Sequence, residues 1–422
     1  MTLYEHWLQI ATTNATALAL VDAASGQHWT FAELQARANA EPVSREPIRE
    51  ARGRGVDFLI TALASWRDGN ILCPCENQDD PIPTTLTPPA NACHVKRTSG
   101  STGAPRAVWF TEEQLAADAH QIVTTMGLRN DWPNLGIISL AHSYGFSNLV
   151  LPLLLHGIPL VLVKDALPAT IKNALQSFDH VTLPAVPAMW RAWLGAGILD
   201  QRVQLAISAG APLTLALEQA IYEQCSIKVH NFYGSTECGG IAYDRSTLPR
   251  TEPAFVGTAM DGVNLAIANT RLKVTSPAVG LGYADDLHDP SLKGGQFLTT
   301  DHALIKRRDA VYLQGRHGES INVAGRKVSP QIIEEALLML PTVIHAIVFG
   351  IPSKNTERVD EIVAVVHPED GAGLNTITEA LSLPAWQRPR RWWVCEDLRP
   401  NSRGKISRSQ WRERYLQHPT GR

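Results

Sequence analysis

The stretch Val203 to Glu237, "VQLAISAGAPLTLALEQAIYEQCSIKVHNFYGSTE", decides the fold class. Two apolar runs, "VQLAISAG" and "IKVHNFYG", flank a helical segment, "PLTLALEQAIYEQC". A strand–helix–strand order implies a βαβ unit and parallel strand neighbours. The alternation extends over residues 100 to 240, where "GIISLA", "IPLVLV" and "HVTLPAVP" read as strands and "TEEQLAADAHQIVTTMG" as a helix. Thr111 and Gln114 stand at capping-box spacing at the start of that helix. Ligands of such sheets gather at loops leaving the carboxyl ends of the strands. The segments after the two quoted runs, "SAGAP" and "NFYGSTECGG", are therefore the first places to seek a site.

A chain of 422 residues exceeds what one ordinary core organises. With 44% hydrophobic and 19% charged residues, it has the composition of a folded globular protein rather than a disordered one. A net charge of -3 gives no electrostatic footprint for nucleic acid. The dense cationic patch "RPRRWW", Arg388 to Trp393, reads as a solvated strand edge. From Leu135 to Val163 the chain is very apolar, but His142, Asn148, Pro152, His156 and Pro159 interrupt it. A spanning helix needs about 20 nearly unbroken apolar residues, so this segment reads as strand, loop, helix and strand.

The cysteines at 73, 75, 93, 225, 238 and 395 form no paired C-x-x-C sets. Neither zinc nor a disulfide framework is expected, and reduced thiols in a cytoplasmic protein are the simplest account. The start, "MTLYEHWLQIATT", has no basic region before an apolar run and does not read as a signal peptide.

A boundary falls near "GRHGES", Gly315 to Ser320. Residues 1–316 are expected to form the large domain, of parallel sheets with flanking helices, and 317–422 a small mobile α+β domain. In the latter, Ser329 and Pro330 fit the N-cap and first turn of the helix "QIIEEALLML", and the strands "AIVFGI" and "EIVAVV" follow.

Two motifs carry chemistry. In "TSGSTGAPR", Thr98 to Arg106, Gly100 and Gly103 let the backbone approach a ligand, Thr98, Ser99, Ser101 and Thr102 supply hydroxyls, and Arg106 supplies a cation. A polyphosphate suits that set. The loop is not a Walker A motif, which ends in Lys followed by Ser or Thr. In "NFYGSTECGG", Tyr233 can stack on a base, Thr236 can bond a phosphate, and Glu237 can hold Mg2+, a hard cation that favours carboxylate and phosphate oxygens. Alone, the first is an ordinary turn and the second a solvated loop. Their co-occurrence is what points to a nucleotide.

With "FLTTD", "GRHGESINVAGRKVSP" and "PNSRGKISR", these motifs stand in the order and approximate separations seen in the adenylate-forming enzymes, so the chain resembles that superfamily of acyl- and aryl-CoA ligases, peptide-synthetase adenylation domains and luciferase. The resemblance covers roughly Trp29 to Arg408. It implies that Thr98 to Arg106 wrap the phosphates of ATP and that Gly210 and Ala211 line the adenine slot beside Asn231, Phe232, Tyr233 and Gly234. Asp301 and Arg316 would hold the ribose, Glu237 the Mg2+, and Gly318 would be the hinge. Lys405 would bridge acid and phosphate, with Thr236, Glu237 and His142 completing the catalytic set. The loop around Gly325 would line the path of a pantetheine thiol. Departures from the family pattern are Arg106 for Lys, Thr300 for Gly, Asn322 for Lys, and a short region before Thr98.

"AHSYGFSN", Ala141 to Asn148, matches the segment lining the family's acyl pocket. Amino-acid adenylation domains place an Asp after the Phe here; this chain has Phe146-Ser147, which disfavours an α-ammonium. Tyr144, Phe146 and Trp190 offer flat walls, Ser143 and Ser147 hydroxyls, and Ala209, Cys238 and Gly239 the rest of the pocket, with Cys238 and Gly239 as its floor. An aryl acid such as a hydroxybenzoate is expected, activated as acyl-AMP and passed to CoA or to a phosphopantetheine-bearing carrier protein. The short N-terminal lobe and "STECGGIA" are similar to compact bacterial ligases of polyene and polyketide pigments, which load a carrier. No "GxDS" attachment motif is present, so a carrier would be a separate protein. Alternatives are adenylation with another nucleophile, a medium-chain fatty acid ligase, and an inactive nucleotide-binding protein. Glu237, Asp301, Arg316 and Lys405 together argue against the last.

Overall fold

A computed structural model describes residues 1–76, 80, 87–98, 105–323, 326–353, 360–369, 371–401 and 405–417. At its centre is a parallel sheet whose spatial order is Leu18–Asp22, Leu160–Leu162, Asn134–Gly136, Val181–Ala185, Val203–Ser208 and Val229–Ser235. The helices Pro168–Gln176, Pro187–Gly195 and Leu215–Cys225 return the chain between these strands. Their start signals are local: Pro opens the first two, and the Thr214 hydroxyl caps the third by accepting from Leu217 N. The helix Glu112–Met126 starts on the expected capping box, Thr111 with Gln114.

Val229–Ser235 belongs to two sheets. Val229, His230 and Asn231 pair parallel with Val203–Ser208, whereas Phe232 to Ser235 pair antiparallel with Gly239–Tyr243. From there an antiparallel sheet continues through Phe255–Ala259, Ala310–Arg316, Gln296–Lys306, Arg271–Thr275 and Asn264–Ala268. A further sheet stacks Ile48–Arg52, Ile71–Cys75 and His94–Arg97 in parallel, then Ala107–Phe110 and Gly282–Tyr283 antiparallel. Trp7, Trp109, Trp190 and Trp193 are among the largest fully buried side chains.

Beyond the Ile321–Val323 strand the chain builds a three-stranded sheet, Val343–Pro352, Asp360–Pro368 and Arg391–Val394, covered by the helices Pro330–Leu338 and Arg408–Gln417. Its two apolar clusters draw only on residues from Ile321 onward. The cationic run ends in the edge strand Arg391–Val394, its side chains half-buried or exposed.

Local readings fail in two places. The run "GIISLA" is not a strand: the strand stops at Gly136 and the chain turns, with His142 N donating to Ser139 O at 3.2 Å. Ser329 occupies the N-cap position, yet its hydroxyl makes no cap bond and is buried without a partner. No helix among the described residues is long and apolar enough to cross a membrane.

Glu218 fastens the helix Leu215–Cys225 to the switching strand. Fully buried, its carboxylate pairs with Lys228 and accepts from Arg250 Nε at 2.8 Å and Arg250 N at 3.0 Å, while Lys228 also pairs with Asp244 at 2.7 Å. Removing one member of a buried ionic group strands the others without solvation. Glu218→Ala is expected to cost about 3–5 kcal/mol in urea unfolding. The exposed pair Lys306–Glu252 serves as control, Lys306→Ala leaving the urea midpoint nearly unchanged.

Candidate active site

A cavity of about 600 Å³ opens where the switching strand leaves the parallel sheet. Three elements meet at one part of its wall. Sheet register sets Asp301 opposite Arg316, and Arg316 Nε donates to Asp301 Oδ1 at 3.1 Å. The Tyr233 hydroxyl, delivered by the switching strand, donates to Asp301 Oδ2 at 2.5 Å. Burial, reinforced by the Asp301 carboxylate, holds this phenol well above its usual value and keeps the donor protonated. Gly210, Phe232, Gly234 and Thr236 line the same cavity.

The motif Thr98 to Arg106 joins the paired strands His94–Arg97 and Ala107–Phe110. Thr98 and Arg106 close its base: Thr98 N donates to Arg106 O and Arg106 N to Thr98 Oγ1, each at 2.8 Å. Ser99, Gly100, Ser101, Thr102 and Gly103 lie outside the described residues. The expected cation is compensated. Arg106 Nε pairs with Asp285 at 3.0 Å and its NH1 nitrogen with Asp289 at 2.8 Å, and the guanidinium lies 3.5 Å from the centre of the Tyr283 ring. The Tyr283 hydroxyl in turn donates to Glu237 Oε1 at 3.1 Å, and the Ser235 hydroxyl to Glu237 Oε2 at 2.5 Å. Glu237 is thus an oriented carboxylate at the cavity wall.

Elsewhere on the cavity wall, His142 begins a short helical turn by accepting from Tyr144 N, and Ser143, Tyr144, Ser147 and Asn148 line the cavity with it. The Tyr144 ring meets that of Phe232 at 5.9 Å with the two planes inclined at 49°, so the rings form an angled aromatic corner. Ala209 and Gly239 close the pocket. Gly239 has φ +68, and a Cβ there would fall 2.1 Å from Asp118 Oδ1. Glycine is therefore required both by the backbone and by the neighbour.

Lys405 lines the cavity too. Its segment is braced by Asn401, whose Oδ1 accepts from Lys405 N at 3.1 Å, and by Arg408. Arg408 holds Glu334 through two contacts of 2.9 Å, donates to Val348 O at 2.8 Å and pairs with Glu319. Glu319 adjoins Gly318, which is exposed with φ +83.

Five residues expected at the site do not line it. Asn231 spends its amide on Val256 O at 3.0 Å and joins two strands. Cys238 points into the core, where burial and the adjoining Glu237 push its thiol up. Phe146 and Trp190 are buried in two different apolar clusters, and Ala211 lies beyond the rim. Conversely, Arg271, Tyr283, Asp285, Ser291 and Phe297 line the cavity without having been singled out. They lie on strands and turns assembled by distant pairing, and no local motif marks them.

A family described as AMP-binding enzyme matches residues 46–282. The 4-chlorobenzoate–CoA ligase of Arthrobacter sp is 25% identical over 350 residues, 78% of this chain and 67% of that protein. The 4-hydroxybenzoate–CoA/benzoate–CoA ligase of Rhodopseudomonas palustris is 26% identical over 346 residues, 75% and 64% of the respective chains. Two solved structures share the fold. ATP-bound MatB from Rhodopseudomonas palustris superposes with a TM-score of 0.85 at 19% identity, covering 98% of this chain and 99% of that one. The anthranilate CoA ligase AuaEII in complex with anthranoyl-AMP gives 0.84 at 16% identity, covering 98% and 97%.

The geometry at Gly239 sets a test. Gly239→Ala is expected to cost about 2–4 kcal/mol in urea unfolding, combining a left-handed backbone with overpacking. Gly195→Ala, at a helical position with nothing within 4 Å of the added carbon, should not destabilise.

Proposed function

The chain belongs to the AMP-binding enzyme family and is an AMP-forming acid–thiol ligase; we propose that the acid it activates is aromatic and that the acyl group passes to a pantetheine thiol, of CoA or of a separate carrier protein. The observation that carries this reading is the lining of the cavity. Its carboxylates have partners away from the His142 to Asn148 segment, Glu237 with Ser235 and Tyr283, Asp285 with Arg106, and Asp301 with Tyr233 and Arg316, whereas the Tyr144 and Phe232 rings meet at 5.9 Å beside hydroxyl and amide groups. The lining residues of that segment, His142, Ser143, Tyr144, Ser147 and Asn148, include no carboxylate to pair an α-ammonium. An amino acid would be desolvated there without compensation. Relatives named for 4-chlorobenzoate and 4-hydroxybenzoate support the aromatic assignment.

In the first half-reaction, a carboxylate oxygen of the acid bonds to the α-phosphorus of ATP, the bond to the bridging oxygen breaks, and pyrophosphate leaves. In the second, a thiolate sulfur bonds to the acyl carbon, the carbon–oxygen bond of the mixed anhydride breaks, and AMP leaves. Lys405 reaches the cavity as a point charge suited to hold the acid's carboxylate against the phosphate. Asp301, Arg316 and Tyr233 take the nucleoside, with Asp301 offering acceptors to ribose hydroxyls. Thr98 and the loop after it take the phosphates, and Thr236 adds a hydroxyl. His142 stands at the acid end, beside the reacting carboxylate.

Mg2+ fits the donor set, because Glu237 is a hard oxygen ligand already oriented by Ser235 and Tyr283, and such ions take one or two carboxylates together with substrate phosphates. When bound, the ion would neutralise phosphate charge. Residues 317–422 act as a mobile domain that turns about Gly318, withdrawing Lys405 once acyl-AMP has formed.

Pyrophosphate release across acetate, octanoate, benzoate, 4-hydroxybenzoate and several α-amino acids tests the assignment. Benzoates should exceed amino acids by at least about tenfold in kcat/KM; a panel led by octanoate or an amino acid would remove the aromatic reading. Lys405→Ala should slow adenylation by roughly 10²-fold, about 2.7 kcal/mol, and spare thiol transfer from preformed acyl-AMP. Equal loss in both half-reactions would instead tie Lys405 to the fold.

A further inference from the structure

Behind the cavity wall at Ser147 lies a buried ion pair that the chemistry above does not use. Lys96, from the strand His94–Arg97, points its ammonium at Asp118, from the helix Glu112–Met126, at 2.9 Å. Both side chains are 2% exposed. Ser147 completes the group: its hydroxyl donates to Asp118 Oδ2 at 2.6 Å, and its oxygen accepts from Lys96 Nζ at 2.9 Å. Of the three, Ser147 is the one that lines the cavity.

The polarity of this arrangement is fixed. A serine hydroxyl carries one proton and two lone pairs. An ammonium has no lone pair to accept with, so the Ser147 proton goes to the carboxylate, and one lone pair is taken by Lys96. What remains for a ligand is a single acceptor site. Ser147 was expected to offer the substrate a hydroxyl of either polarity; its neighbours make it an acceptor alone. The nearby ammonium adds a second constraint, because a cationic group at Ser147 would face Lys96 across less than the length of two hydrogen bonds, in a region closed to water.

We propose that the acid activated in this cavity carries a neutral hydrogen-bond donor, a phenolic hydroxyl or an arylamine, that donates to the Ser147 oxygen. The proposal rests on the aromatic reading above and narrows it. Acids presenting an ether, a halogen or a second carboxylate toward Ser147 meet a lone pair and are selected against. Lys96 and Asp118 act as positioning residues that hold the Ser147 proton away from the ligand.

The test compares matched acids of nearly equal size: 3- and 4-hydroxybenzoate and 3- and 4-aminobenzoate against 3- and 4-fluorobenzoate, by pyrophosphate release. The better hydroxy- or amino-acid should exceed its fluoro counterpart by about tenfold or more in kcat/KM. Ser147→Ala should collapse that ratio to within about threefold; the ratio is read within the one variant, so a general loss of activity from disturbing the buried group cancels. Ser147→Thr, which keeps a hydroxyl, should retain the ratio. Isothermal titration of the same acids against enzyme holding α,β-methylene-ATP supplies a readout free of turnover. Equal kcat/KM for fluoro and hydroxy acids in the unaltered enzyme would overturn the proposal, as would a ratio that survives Ser147→Ala. Activity on octanoate or amino acids with none on any benzoate removes the aromatic reading itself, and this inference with it.

Discussion

The cavity depends on a change of hydrogen-bonding partner within one strand. Val229 to Asn231 run parallel to Val203–Ser208, and from the next residue, Phe232, the chain is antiparallel to Gly239–Tyr243. Asn231 marks the join, its amide bonded to Val256 and its carbonyl accepting from Asp244 N at 2.9 Å. Past it, the strand carries Tyr233 to Asp301, and the hairpin it forms brings Glu237 to Tyr283 and Gly239 against Asp118. Three parts of the cavity wall, around Tyr233, Glu237 and Gly239, thus hang on one seven-residue strand and the turn after it.

Much of this was legible because the signals are local. Strand–helix alternation, the Thr111–Gln114 capping box and the helix start at Pro330 depend on residues near each other in sequence, and the structure has them where the spacing puts them. Residues of the glycine- and hydroxyl-rich motifs likewise meet in one cavity, Thr98, Tyr233, Asp301, Arg316 and Lys405 among them. The losses are of another kind. Asn231 and Cys238 sit inside a correctly read motif, but sheet pairing and the pitch of the turn point them away from the cavity. "GIISLA" has strand composition, yet the packing of Gly145 beside Ser139, where a Cβ would fall 2.0 Å from a carbonyl oxygen, requires the chain to fold back there. The partners of Arg106 are some 180 residues away in sequence, and no reading of nearby residues could find them.

The buried charges divide into two groups with different tasks. Glu218, Lys228, Asp244 and Arg250 tie a helix and a loop to the switching strand, and none of the four lines the cavity. Lys96 and Asp118 stand directly behind a pocket wall. Burying ion pairs carries a desolvation cost that well-packed apolar residues avoid. In the second group the return is directional: the pair dictates which way a serine hydroxyl points. Arg408 plays a comparable part near Lys405, joining that segment to Glu319 and Glu334.

The compensation of Arg106 also bears on how ATP arrives. Arg106, Arg271, Arg316 and Lys405 at the cavity are met by Glu237, Asp285 and Asp301, with Asp289 behind Arg106. The charges of the described lining residues therefore nearly cancel, and with an overall charge of -3 the chain does nothing to draw in a polyanion from afar. An anion reaching Arg106 would have to displace Asp285 and Asp289 from its guanidinium, so attraction there acts at contact range and not during approach.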